Sequence, residues 1–389
     1  MSARLGLLSR DCGPLDLTDL DQPRPPVTFG DQLLGILCAL KRRERLHDIV
    51  RVSVASYDAP TDMLKTFAST DGRSSPLQHY QAPLSRLPSL QAAAADRHFR
   101  NLPDLSAPDV VPTAHTKQLL DAGIRSSLAV PIHAKGKLIG FVFFDAALPH
   151  LFGKIVYDQL WPYVHLVAMM LVNDLELTRI VRAAVETTQA LARYKDPETS
   201  SHLQRMSRFA RIIATALAPR LKLTDEFIEH LFWFAPLHDI GKVGVPDSIL
   251  LKPGSLTTVE FEQMKRHVDY GVEIVDLLTD RFELAGQPHV RLMRNVIACH
   301  HENVDGSGYP AGLTRDQIPI EGRIVAVADV FDALTSERPY KRRWTNHQAL
   351  EFIRNHQGTR FDEGCVVALI EHMPEIGEVQ DQFTDVFQV

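Results

Sequence analysis

Residues 300–310 read HHENVDGSGYP. Neighbouring side chains on a helix point about 100° apart, so two adjacent histidines inside one would split between core and solvent. The pair therefore belongs at the end of a helix, where both imidazoles can reach one partner. Gly306, Gly308 and Pro310 then supply the turn that follows.

Working outward, the second half of the chain places further metal-capable side chains at helix ends or on apolar faces. His202 lies one helical turn beyond Glu198, so the two share a face. His238-Asp239 stands where its helix runs out at Gly241, with Lys242 next. His267 falls on the apolar stripe of the helix begun at Thr257, where Thr257 and Glu260 form a capping box. Asp329 follows Ala326 and Ala328 in an apolar run.

Taken singly, each has an ordinary explanation. A lone inward histidine is more often a hydrogen-bonded core residue than a ligand, and Asp329 could be a buried carboxylate tied to Arg323. Yet a buried carboxylate is costly unless paired or coordinated, and here five histidines and two aspartates fall within one apolar bundle. Imidazole together with carboxylate suits Fe, Mn or Zn. A set too large for one tetrahedral ion points to two or more metals. Lys242, Arg338, Lys341, Arg342 and Arg343 offer cations for phosphate oxygens, although ERPYKRR also reads as a solvated loop.

At 389 residues the chain is long for one domain. Residues 1–27, rich in Asp, Pro and Gly, read as a mobile leader. The apolar period from Phe29 to Leu46 predicts a helix, and Asp48 to Asp58 alternates as a strand. SSLAVPIHAKGKLIGFVFFDA predicts a hairpin turning at Lys-Gly. Residues 28–165 are thus an α+β domain. Beyond Lys195 nearly every segment predicts helix, making 196–389 an all-α bundle.

Between them, Leu166, Met170, Asn173, Leu177, Ile180, Ala184, Thr187, Leu191 and Tyr194 form a heptad seam. Either this linker, 166–195, packs on its own domain or it pairs with a second copy as a parallel coiled coil. The second reading predicts a homodimer with Asn173 fixing register. The net charge of −6 gives no help to a nucleic-acid polymer as partner. No C-x-x-C spacing, secretory leader or span of roughly 20 apolar residues stands out, so we expect a reduced, cytoplasmic protein without a membrane segment.

HDIGK (238–242), HHENVDGSGYP, GRIVAVADVFDALTSERPYKRRW and DPETSSH, in this arrangement, resemble the HD-GYP domain of bacterial cyclic di-GMP phosphodiesterases. The resemblance covers about half the chain, from Leu191 onward. It implies hydrolysis of cyclic di-GMP to pGpG, and on to GMP if a third ion is bound, by water activated at two or three divalent ions, iron or manganese. It implies that His202, His238, Asp239, His267, His300, His301 and Asp329 are metal ligands, with Asp239 bridging. Lys242 would stand beside the scissile phosphate, Arg338 and Lys341 would hold ligand phosphates, and Gly308-Tyr309-Pro310 would wall the pocket. Glu198 resembles the subset that adds a third ion, with a first-turn glutamate favoured by the helix dipole as the ordinary alternative. Asp332 and Asp196 would orient ligands.

The α+β domain resembles a GAF sensor module in its last hairpin and exit helix, which implies an unidentified small-molecule ligand. It has no cysteine placed for bilin attachment, and His115, His133 and His150 read as polar surface residues rather than haem ligands. Two other functions compete: a cyclic di-GMP receptor with negligible turnover, and an HD-type phosphohydrolase of another nucleotide.

Overall fold

The computed structural model describes residues 28–71, 77–108, 110, 114–192, 200–281, 288–336 and 343–384. It divides between Asp174 and Leu175 into two compact units.

In the first unit, helix α1 (Phe29–Lys41) is opened by a capping box between Thr28 and Asp31 and buries Phe29, Leu33, Ile36, Leu37 and Leu40. It packs on strand β1 (Ile49–Asp58). The remaining strands are β2 (Met63–Ser69), β3 (Gln81–Pro83), β4 (Arg100–Leu102), β5 (Ser126–Ala134) and β6 (Lys137–Ala146), in the order β3-β2-β1-β6-β5-β4 with antiparallel pairing. The expected hairpin is β5–β6. It turns at Lys135 and Gly136, both left-handed at φ 49° and 80°, as a two-residue turn matched to strand twist requires. Helices α2 (Pro88–Asp96) and α3 (Ala114–Asp121) complete the unit.

Helix α4 runs Lys154–Ala192, so it begins well ahead of the seam read from Leu166. Its portion Lys154–Leu175 is long and apolar enough to cross a membrane by length and composition, which the reading of short apolar runs overlooked. Leu160, Val164, Val167 and Leu171 on that portion are nevertheless buried at 4% exposure or less, the signature of a core-facing stripe.

The second unit is helical, as expected. Helix α5 (Ser200–Leu221) is central and packs on α6 (Asp225–Phe234), α11 (Ile320–Thr335), α13 (Glu363–Glu371) and α14 (Met373–Gln382). Between these lie α7 (Asp247–Leu250), α8 (Thr258–Lys265), α9 (His267–Arg281), α10 (Pro288–Cys299) and α12 (Asn346–Asn355). Met206, Phe209, Ile213 and Leu217 form a buried stripe along α5, and Phe209 meets Phe331 edge-on at 5.7 Å. Each such fully buried side chain contributes roughly 1.5–3 kcal/mol.

Candidate metal centre

Five stretches of backbone deliver the site. Helix α5 presents His202 near its start. Helix α6 tightens at Pro236 into a 3-10 turn, Ala235–Leu237, which leads into His238-Asp239 and a second such turn, Ile240–Gly244. That second turn presses against α9, and Gly241 makes the approach possible: a Cβ there would stand 1.8 Å from the His267 carbonyl oxygen and 2.4 Å from the Gly271 nitrogen. His267 is the first residue of α9, not a member of the helix begun at Thr257, because α8 ends at Lys265 with Arg266 as its cap. Helix α10 stops at Cys299, which releases His300 and His301. Asp329 comes from α11.

These residues meet in two groups whose ligand atoms lie within 4.8 Å of one another: Asp239 with His267, His300 and His301, and His202 with His238 and Asp329. Asp239 stands between the groups. Its Oδ1 is 3.2 Å from His267 Nε2 and 3.7 Å from His300 Nε2, and its Oδ2 is 3.0 Å from His238 Nε2. Asp329 Oδ1 lies 3.8 Å from His202 Nε2 and 3.7 Å from His238 Nε2.

The direction of each imidazole follows from its other nitrogen. Nδ1 of His238, His267 and His300 bonds to the carbonyl three residues back, of Ala235, Met264 and Ile297, at 2.8–2.9 Å. Nδ1 of His202 bonds to Asp332 Oδ2 at 2.7 Å. Carbonyls and carboxylates only accept, so Nδ1 carries the proton and a neutral ring turns its Nε2 lone pair inward. Burial lowers the pKa of His300 and His301, favouring the neutral form. Acceptors consequently face acceptors: His267 Nε2 and His300 Nε2 are 3.4 Å apart beside a carboxylate. Such a cluster is unfavourable on its own and is what divalent cations bind, so the donor set fits metal.

Burial raises the pKa of Asp239, but Lys242 and then His238 outweigh it and hold the carboxyl well below its ordinary range. Lys242 Nζ lies 2.9 Å from Asp239 Oδ2. The predicted orienter Asp332 is buried and accepts from His202, from Arg205 Nε at 2.6 Å and from Ser336 Oγ at 2.9 Å. Arg323 is not the partner of Asp329: it donates to Asp362 Oδ2 at 2.9 Å, which leaves Asp329 facing the histidines.

The GYP loop lies against the histidine pair. The Tyr309 ring lies over His301 with centroids 4.7 Å apart, and its backbone nitrogen donates to the His301 carbonyl at 3.1 Å. Gly308 is required by contact, since a Cβ would fall 2.2 Å from Asn303 N and 2.6 Å from His301 O. Buried Glu302 accepts from the Ala311 and Leu313 amides at 2.7 and 2.8 Å, pinning the loop from behind.

The structure thus gathers His202, His238, Asp239, Lys242, His267, His300, His301, Gly308, Tyr309, Pro310 and Asp329 into one region, while Glu198, Asp196, Arg338 and Lys341 lie outside the described residues. Arg205 and Glu302 were missed. Arg205 could have been found as a cation three residues beyond His202 on the same face, facing a predicted buried aspartate. Glu302 offered no periodic signal, because it sits in irregular backbone.

Residues 179–364 match the family model described as HD domain. The chain is 44% identical over 202 residues to the cyclic di-GMP phosphodiesterase response regulator RpfG of Xanthomonas campestris, covering 51% of this chain and 50% of that protein. It is 40% identical over 188 residues to the 3'3'-cGAMP-specific phosphodiesterase 2 of Vibrio cholerae, covering 48% and 34% respectively. The chain therefore spans about half the length, or less, of these curated relatives. Among solved structures, the GAF domain/HD domain protein from Geobacter sulfurreducens aligns over 37% of this chain and 92% of that one, at 19% identity and a TM-score of 0.28.

Proposed function

We propose that this chain is a metal-dependent phosphodiesterase of the HD-GYP type that opens cyclic di-GMP to linear pGpG, a reading supported by the match of residues 179–364 to the HD domain and by the 44% identity to RpfG. The observation that carries the reading is the pair of ligand groups meeting at Asp239. Asp239 would be shared by two ions, with His202, His238 and Asp329 on one side and His267, His300 and His301 on the other. When bound, such ions lower the pKa of a water and neutralise developing charge on a phosphodiester. Iron or manganese suits the mixed imidazole and carboxylate set, and Glu198 would add a third ion and with it cleavage on to GMP.

The side chains themselves supply orientation and exclusion. Asp332 fixes His202, and three backbone carbonyls fix His238, His267 and His300. Lys242 shares Asp239 Oδ2 and would meet a non-bridging phosphate oxygen. Tyr309 lies over His301 and would limit the access of bulk water from that side. Arg338 and Lys341 would complete the phosphate contacts. A nucleotide substrate of this kind agrees with action in the cytoplasm.

The test is metal analysis of anaerobically purified protein with turnover of cyclic di-GMP, 3'3'-cGAMP and a guanosine polyphosphate. Two or three ions per chain are expected, with cyclic di-GMP consumed at least about tenfold faster than the others, a modest pocket discrimination. A fully metallated protein without turnover would instead be a receptor. Preference for 3'3'-cGAMP, favoured by the Vibrio cholerae relative, would replace the substrate but keep the chemistry.

A homodimer through α4 accompanies this reading. Of the seam residues, Leu166 is 48% exposed although it lies in an apolar helix, Met170 is half-buried and Asn173 is exposed. We expect the intact chain to sediment as a dimer at micromolar concentration, and a monomer there removes the coiled-coil reading.

A further inference from the structure

The first unit contains a cavity of about 470 Å³, within the range of small-molecule sites. Leu64, Leu90, Leu102, Leu119 and Phe143 give it a largely apolar wall. Arg51, Lys65, Arg100, His115 and Asp145 gather among them. His115 is therefore not the surface residue that the sequence suggested.

Most of these charges are already matched. Arg51 Nη1 meets Asp145 Oδ2 at 2.6 Å and its Nε meets Asp71 Oδ2 at 2.8 Å. Asp145 also accepts from Ser127 Oγ at 2.7 Å, and Lys65 Nζ lies 3.4 Å from Asp58 Oδ2. Arg100 is different. One Nη1 hydrogen goes to Ser89 Oγ at 3.3 Å, its Nε is buried with no acceptor, and among the described residues no carboxylate lies within ion-pair distance. His115 Nδ1 is likewise buried with no partner, and its ring leans on Tyr80 at 5.0 Å.

Burial lowers the pKa of Arg100 to about 10 and that of His115 to about 4. The imidazole is thus neutral and the guanidinium still charged, with most of its donors unspent. A buried guanidinium that feels Asp145 only from beyond ion-pair distance, that carboxylate being paired with Arg51, is costly. Water could solvate those donors but gains nothing from the apolar wall. A molecule with an oxyanion at one end and an apolar body at the other satisfies both surfaces, and a guanidinium fork suits an oxyanion.

We propose that this cavity binds a small organic anion, its acid group on Arg100 and its apolar body against the leucines and Phe143. The proposal is independent of the metal centre.

Two fluorescent probes with the same ring system test it on the full chain. 1-Anilinonaphthalene-8-sulfonate carries an acid group, and N-phenyl-1-naphthylamine lacks it. The sulfonate is expected to bind one per chain, at least about tenfold tighter than the neutral probe, which corresponds to about 1.4 kcal/mol. Arg100→Gln is expected to erase that preference while leaving the neutral probe's affinity unchanged, and Arg100→Lys to retain part of it. Equal affinity for the two probes, no binding of either, or an unaltered preference in Arg100→Gln overturns the assignment.

Discussion

Asp239→Ala is expected to strip both halves of the centre of metal and to lower phosphodiesterase turnover by more than about 100-fold. Loss of a group that merely supports a ligand costs 10–100-fold, and among the described residues Asp239 is the carboxylate facing His238 on one side and His267 and His300 on the other. Removing it separates the two groups and also leaves Lys242 without its 2.9 Å partner. Metal content per chain and initial rates on cyclic di-GMP read the effect, with far-UV circular dichroism showing that the helices persist. A variant that kept its metal and its rate would overturn Asp239 as the shared ligand.

Gly241→Ala is expected to do comparable damage by a different route. One methyl group would have to occupy space 1.8 Å from a backbone oxygen and 2.4 Å from a backbone nitrogen, neither of which can swing aside as a side chain can. Overpacking of this kind costs on the order of 3 kcal/mol, equivalent to a Tm lower by about 6–12 °C for a unit of this size. Because the contact is with the His267 peptide, metal affinity should fall together with stability. Gly271→Ala is the contrast: its new Cβ would chiefly meet a side-chain atom, Ile297 Cγ2, at 2.6 Å, with the nearest backbone atom at 3.4 Å. Gly271→Ala should therefore cost less, and an unchanged Tm in Gly241→Ala would refute the close-packing account.

Much of the candidate site was legible because residues able to bind metal are recognisable by type, and the structure brings His202, His238, Asp239, His267, His300, His301 and Asp329 together. Singly these histidines and aspartates read as ordinary core or surface residues, but their number in one apolar bundle pointed to metal, and the resemblance of HDIGK and HHENVDGSGYP to a known family picked out the set. Boundaries were harder. His267 was assigned to the helix begun at Thr257 because the apolar stripe runs on through the break at Arg266, and periodicity does not register a one-residue cap. The start of α4 at Lys154 was missed because Pro162 lies inside it, where a proline ordinarily argues against helix.

Supporting contacts were the least visible. Arg205, Glu302 and the Gly241 to Gly271 approach bring together residues far apart in the chain or lying in irregular backbone, and no local pattern encodes them. In the first unit, alternation gave the β5–β6 hairpin directly, but the cavity depends on how α2, α3 and the sheet enclose space. His115 therefore looked like surface until the fold turned it inward.

The clamp formed by Glu302 has a mechanical meaning. A carboxylate holding two amides resists separation by about 3–6 kcal/mol in all, taking 1.5–3 kcal/mol for each charged hydrogen bond. On that scale the segment bearing Tyr309 swings clear in fewer than about one molecule in a hundred. It is anchored to the same chain reversal that carries His300 and His301, so wall and ligands form one rigid jaw of constant gauge. If the proposed activity holds, selection among cyclic dinucleotides would be a matter of what fits the standing gap, and turnover would not wait for a gate to open.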